Sequence, residues 1–91
     1  MDNKEAVDVL ESALARYRAM TYSELATHVG HRETNSVPGE SRRLYQVQIQ
    51  IAWDAKPGGD IRVLGAVDDG GWRSFIPVTT DFLVEPAADA G

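Results

Sequence analysis

The side chains that most often carry chemistry are few in this chain, and they are scattered. His28-Val29-Gly30-His31 has the look of a metal-ligand pair. Glycine stops helices, so the two rings need not share a face, and no cysteine is present to complete a zinc set. We read them as two surface histidines at a helix end. Asp54 and Asp60 flank one glycine-containing connection, and Asp68 and Asp69 begin another. Aspartates in turns have a local reason to be there, because they bond their own backbone. If the segments between are strands of one meander, the two pairs sit at opposite ends of the sheet and share no site. Asp68-Asp69-Gly70-Gly71 lacks the alternating oxygen ligands of a calcium loop. Gly58-Gly59 and Gly70-Gly71 fall in hairpins, whereas a phosphate cradle leads from a strand into a helix N-terminus. Ser23, Ser36, Ser41 and Ser74 belong to no motif that places a histidine and an acid beside them. The expectation is a protein that is not an enzyme, with no catalytic residue, no cofactor and no metal.

The 91 residues suffice for one small domain with one core. Hydrophobic residues make up 43% and charged residues 25%, an ordinary globular balance. The absence of cysteine rules out a disulfide framework and fits a reducing compartment. The start, MDNKEAVDVLE, is polar and acidic, unlike a signal peptide. Nothing approaches the roughly 18 uninterrupted apolar residues of a membrane span. A small bacterial, cytoplasmic protein is the expectation.

The net charge is −5, a field that works against nucleic acid. Residues 16–43 nonetheless hold five arginines, Arg16, Arg18, Arg32, Arg42 and Arg43, against three glutamates. The middle is mildly basic inside an acidic protein.

The elements follow from periodicity. Val7, Leu10, Leu14 and Tyr17 recur at steps of three and four, which predicts a helix over about 3–20. Thr21 with Glu24 three residues on has capping-box spacing for a second helix over about 22–29, stopped at Gly30. HRETNSVPGES has no apolar period and contains Pro38-Gly39, so residues 30–42 read as a loop. From Tyr45, every second residue is large and apolar: Tyr45, Val47, Ile49, Ile51 and Trp53. That alternation predicts a half-buried strand over about 44–55. A second strand is expected over 61–68. Asp69-Gly70 is a strong two-residue hairpin signal, which would send a third strand back over 71–78. Phe82 to Pro86 reads as a short closing strand or one helical turn, and 87–91 as a disordered tail. One domain over 1–86 is expected, with the sheet over about 44–84.

The register can be tested on paper. Symmetric pairing across 54–60 sets Trp53 opposite Ile61, Ile51 opposite Val63 and Val47 opposite Val67. The hairpin at Asp69-Gly70 sets Val67 opposite Trp72, Val63 opposite Ile76 and Ile61 opposite Val78. Each hairpin collects its large apolar residues on one face, and a one-residue slip would scatter them. Gly65 falls in the middle of that face, where a missing side chain admits a packed helix. The fold class is α+β: two N-terminal helices packed on one face of a three- to four-stranded antiparallel β-meander.

The other face of the sheet carries Gln46, Gln48 and Gln50, with Leu64, Arg73 and Phe75. Apolar side chains rimmed by glutamine and arginine are the make-up of an interaction patch. Gln48, Gln50, Leu64, Arg73 and Phe75 are the candidate protein interface. A partner protein or a second copy of the chain would cover them, since homodimers are the commonest oligomers.

MTYSELATHVG, residues 20–30, resembles the Thr-Tyr-x-Glu-Leu-Ala helices of winged-helix DNA-binding domains and alkyltransferase-like proteins. The resemblance covers about a tenth of the chain. It implies a capped helix, and through the winged helix it implies contacts to nucleic acid from the arginine-rich middle: Arg32, Arg42 and Arg43. An alkyltransferase needs a cysteine, which is absent. A winged helix needs a recognition helix next, and HRETNSVPGES stands in that place.

Two function readings result. The first is a small non-catalytic interaction module, accessory, antitoxin-like or immunity-like, that works through the glutamine face. The alternative is a winged-helix-like nucleic-acid binder.

Overall fold

A computed structural model of the chain describes residues 3–69 and 78–86. It is an α+β fold. Helix α1 spans Asn3–Arg18 and α2 spans Tyr22–Ala26. Four strands follow: β1 (Arg32–Pro38), β2 (Leu44–Trp53), β3 (Ile61–Asp68) and β4 (Val78–Val84). They form one antiparallel sheet in the order β1-β2-β3-β4.

Helix α1 lies across β2, β3 and β4. Its buried stripe is Ala6, Val9, Leu10, Leu14 and Tyr17. The sheet answers with Tyr45, Val47, Ile49 and Ile51 from β2 and Ile61, Val63 and Val67 from β3. Gly65 sits beneath the helix as expected. A Cβ there would stand 2.9 Å from Leu10 Cδ1 and 3.2 Å from Leu14 Cδ1. Short α2 adds Leu25 to the core. Its capping box is complete, with Thr21 Oγ1 accepting from the Glu24 amide and Glu24 Oε1 from the Thr21 amide. Tyr22 ties it to the β2–β3 connection, its hydroxyl donating to the Gly59 carbonyl at 2.8 Å.

The β2–β3 register is the expected one: Trp53 opposes Ile61, Ile51 opposes Val63 and Val47 opposes Val67. Three other expectations are corrected. Residues 32–38 are not loop but strand β1, paired along its whole length with β2. They lack apolar alternation because α1 lies mainly over β2 and β3 and meets β1 through the polar ends of Arg16 and Tyr17, so inward-facing Glu33 and Asn35 need not be apolar. Helix α2 ends at Ala26 rather than near Val29, because Thr27 caps it and the His28 and Thr27 amides turn back to Leu25 and Glu24. The far edge of β3 pairs with β4, and of the strand expected over 71–78 only Val78 falls among the described residues, opposite Val67 rather than Ile61. Ile61 opposes Val84, Val63 opposes Phe82, Gly65 opposes Thr80 and Val67 opposes Val78. Phe82 and Val84 take the half-buried places expected of Ile76 and Val78. The closing segment is therefore a full strand. Trp72, the Asp69-Gly70 turn beyond Asp69, and the tail 87–91 lie outside the described residues.

Strand β1 enters through a bulge. The Gly30 amide donates to the Ile51 carbonyl at 2.8 Å, and the Ile51 amide donates to the His31 carbonyl at 3.0 Å. Two residues thus face one, and Gly30 at φ 95° supplies the positive dihedral that a glycine-first bulge needs.

Candidate functional site

Two carboxylates fasten the helix to the sheet. Glu5, on the first turn of α1, accepts from the Tyr45 hydroxyl at 2.6 Å, and from the Ser41 hydroxyl and amide, each at 2.7 Å. These bonds hold its pKa below the ordinary value. Glu33, on β1, accepts from the Tyr17 hydroxyl, from Arg16 at 2.6 Å and from Asn35 at 2.6 Å. His31 Nε2 lies 3.2 Å away and must donate, because a carboxylate only accepts. Burial alone would raise the Glu33 pKa. The hydrogen bonds from Tyr17, Asn35, His31 and Arg16 outweigh it and bring the carboxyl to about 2. A general acid or base works best with a pKa near the operating pH. Glu33, saturated with donors and ionised at neutral pH, acts as a clamp. Both buried tyrosines were legible as core, but their need for a hydroxyl partner was the signal left unused.

The residues singled out for chemistry are apart. The His28 and His31 rings meet edge-on with centroids 6.4 Å apart, His28 Nδ1 engaged by the Glu24 carbonyl and His31 Nε2 by the Glu33 carboxylate. Among the described residues, no group of three or more His, Cys, Asp or Glu could hold a metal. Asp54 pairs with Arg62 at 2.7 Å and Asp69 with Arg43 at 3.7 Å, at opposite ends of the sheet.

The outer face of the sheet is the larger feature. Its rows follow from the register. Arg32, Gln50, Leu64 and Asp81 form one row across the four strands. Thr34, Gln48, Ala66 and Thr79 form the next. Ser36, Gln46 and Asp68 follow, and Ala52, Arg62 and Leu83 lie on the other side. Among the described residues, no element lies over this face. Small Thr34 and Ala66 leave a shallow depression of about 390 Å³, walled by Arg32, Gln48, Gln50 and Leu64. Four large apolar side chains are exposed among the described residues, and three belong to this face: Leu44 at 56%, Leu64 at 40% and Leu83 at 47%. Among the described residues the face carries both signs, Arg32 and Arg62 against Asp68 and Asp81, with Asp54 at its edge. Arg62 bridges Asp54 and Asp81.

Of the expected interface residues, Gln48, Gln50 and Leu64 fall together on this face. Arg73 and Phe75 lie outside the described residues. Leu83 and Thr79 stand on the β4 flank instead, a position the sequence reading assigned to other residues. The expected nucleic-acid residues separate. Arg32 lies at one end of β1, while Arg42 and Arg43 lie in the connection at its other end. A strand of seven residues spans about 20 Å, so the three form no single patch. Strand β1 also stands where a winged helix has its recognition helix.

A second concavity of about 570 Å³ runs between α1 and β1, over Val9, Ala13 and Val37 with Asp8, Lys4 and Glu40 at its rim. No helix among the described residues is long and apolar enough to cross a membrane. No protein family matches the chain, and no curated protein or solved structure is similar to it.

Proposed function

We propose that the chain is a small non-catalytic binding module that engages another protein surface through the outer face of its sheet. The observation that carries this reading is the distribution of exposed apolar side chains. Leu44, Leu64 and Leu83 share one open face with a row of glutamines, while the opposite face is filled by α1. Isolated exposed leucines are ordinary, but an open sheet face that gathers them beside amides is the composition of an interface. The mixed charge of the face among the described residues, with no excess of arginine, supports a protein partner over nucleic acid, which would select a basic surface.

The test is site-specific photo-crosslinking in cells. A photoreactive phenylalanine analogue replaces Gln48 on the outer face or, as the control, Ala15 on the exposed side of α1. The expected result is one discrete protein adduct from position 48 and none from position 15. Equal adducts from both positions, or none from 48, would overturn the reading.

A further inference from the structure

The outer face is complementary to itself, and we infer that its partner is a second copy of the chain, stacked face to face with parallel strands. This inference rests on the reading above and names its partner. Two-fold symmetry closes most homodimers. A two-fold axis lying in the interface, along the strands and between β2 and β3, sets β1 over the partner's β4 and β2 over the partner's β3. It leaves each row of the sheet facing the same row.

Three of the facing pairs then complement in charge or in size. Arg32 meets Asp81 of the second copy, at both ends of the row. Arg32 is exposed and, among the described residues, is paired with no carboxylate. Gln50 meets Leu64, and Gln48 meets the small side chain of Ala66. The depression over Thr34 and Ala66 is the space such a glutamine would fill. One row further, Arg62 meets Ala52. At Gln48 and Arg62 a long side chain thus faces a short one, as interdigitating sheets about 10 Å apart favour. Two copies of a chain with net charge −5 repel in general. This face carries less of that penalty, because among the described residues Arg32 and Arg62 stand against Asp68 and Asp81, with Asp54 paired to Arg62 at its edge. The other two-fold arrangement, with the axis across the strands, would set Arg32 against another β1 and leave the charges unmatched.

The test uses two single variants, Arg32→Asp and Asp81→Arg. In either one alone, self-stacking sets like charge against like at two places. In a mixture of the two, both places become opposite pairs. The wild type is expected to approach twice its 10.0 kDa mass with rising concentration, by light scattering after size exclusion. Each variant alone should self-associate at least about tenfold more weakly, and mixing them should restore a complex. Mixtures of Gln48→Cys and Ala66→Cys, in a chain that otherwise has no cysteine, should be joined by a short bismaleimide, because sheets about 10 Å apart hold the two Cα atoms beyond the reach of a direct disulfide. This second readout does not depend on the charged residues.

A wild type that stays at 10.0 kDa at every concentration would overturn the second copy as partner. A photo-adduct from Gln48 to a different protein would in that case leave the binding reading standing. A dimer that both charge variants leave intact, or no 48-to-66 bismaleimide cross-link, would overturn this arrangement.

Discussion

The Tyr45 hydroxyl donates to the Glu5 carboxylate at 2.6 Å, joining the start of α1 to β2. At the other end of the helix the roles are reversed. There the helix supplies the tyrosine, Tyr17, and the sheet supplies the carboxylate, Glu33. Each tyrosine ring lies in the core and each hydroxyl reaches its rim. Hydrophobic packing leaves a helix free to slide along a sheet, whereas two directional bonds at its two ends fix its position.

The two clamps make stability depend on pH in the acid range. Glu33 is held at about 2 in the fold against an ordinary 4.5, and Glu5 is also lowered. A depressed carboxyl pKa means that the unfolded chain binds protons more readily than the folded one. The contribution is therefore present above about pH 4.5 and is lost as the pH falls toward 2. Urea unfolding should show a midpoint that drops steeply between about pH 5 and pH 3. Glu33→Gln should lower the neutral-pH midpoint and flatten that slope. A wild-type midpoint constant across this range would show that neither clamp contributes.

The close approach of α1 at Gly65 gives a second prediction. The Leu10 and Leu14 methyls already stand where a Cβ would go, so a branched side chain must push the helix off or distort the sheet. Gly65→Val should cost about 1–3 kcal/mol by overpacking, despite the better strand propensity of valine. Chemical denaturation followed by far-ultraviolet circular dichroism measures this. A variant as stable as the wild type would mean that the helix does not lie over Gly65.

The sequence revealed β2, β3 and their register because both faces of the argument agreed: alternation in each strand and a single pairing that put every large residue inward. Strand β1 was hidden for a physical reason. It is an edge strand that α1 meets through the polar ends of Arg16 and Tyr17, so its inner residues include Glu33 and Asn35, and only Val37 of the three is apolar. Its Pro38 sits at the strand end, where a missing amide costs little. Strand β4 was misplaced because Asp-Gly is a good turn and Trp72 to Val78 looks like a strand. The choice between two strand-like segments for one edge is decided by tertiary pairing, not by local pattern. The clamps were illegible for another reason. They join residues 40 and 16 positions apart, and nothing local marks Glu5 or Glu33.

The β1–β2 connection holds one strained residue. Arg42 adopts φ 70°, its amide donating to the Gly39 carbonyl at 2.9 Å. That dihedral is unfavourable for a side chain with a Cβ, and glycine adopts it freely. Arg42 is exposed and its guanidinium is not what shapes the turn. Arg42→Gly should therefore raise stability by about 0.5–1 kcal/mol, the relief of strain exceeding the added freedom of the unfolded chain. Thermal unfolding would show the gain as a higher midpoint. A lower one would indicate that the Arg42 side chain holds the hairpin.

The contrast between the two faces of the sheet can be measured with two leucines. Leu14 is fully buried between α1 and the sheet, while Leu64 on the outer face is 40% exposed. Leu14→Ala should cost about 2–5 kcal/mol, the transfer term plus a cavity that the helix cannot close. Leu64→Ala, measured at protein concentrations low enough to keep the chain monomeric, should cost less than about 1 kcal/mol. At high concentration the same variant should lose stability relative to wild type, because association stabilises only the folded state. That concentration dependence separates a side chain kept for an interface from one that is merely exposed. If Leu64→Ala costs as much as Leu14→Ala in dilute solution, another part of the same chain covers the outer face, and both the binding reading and its self-stacking form are wrong.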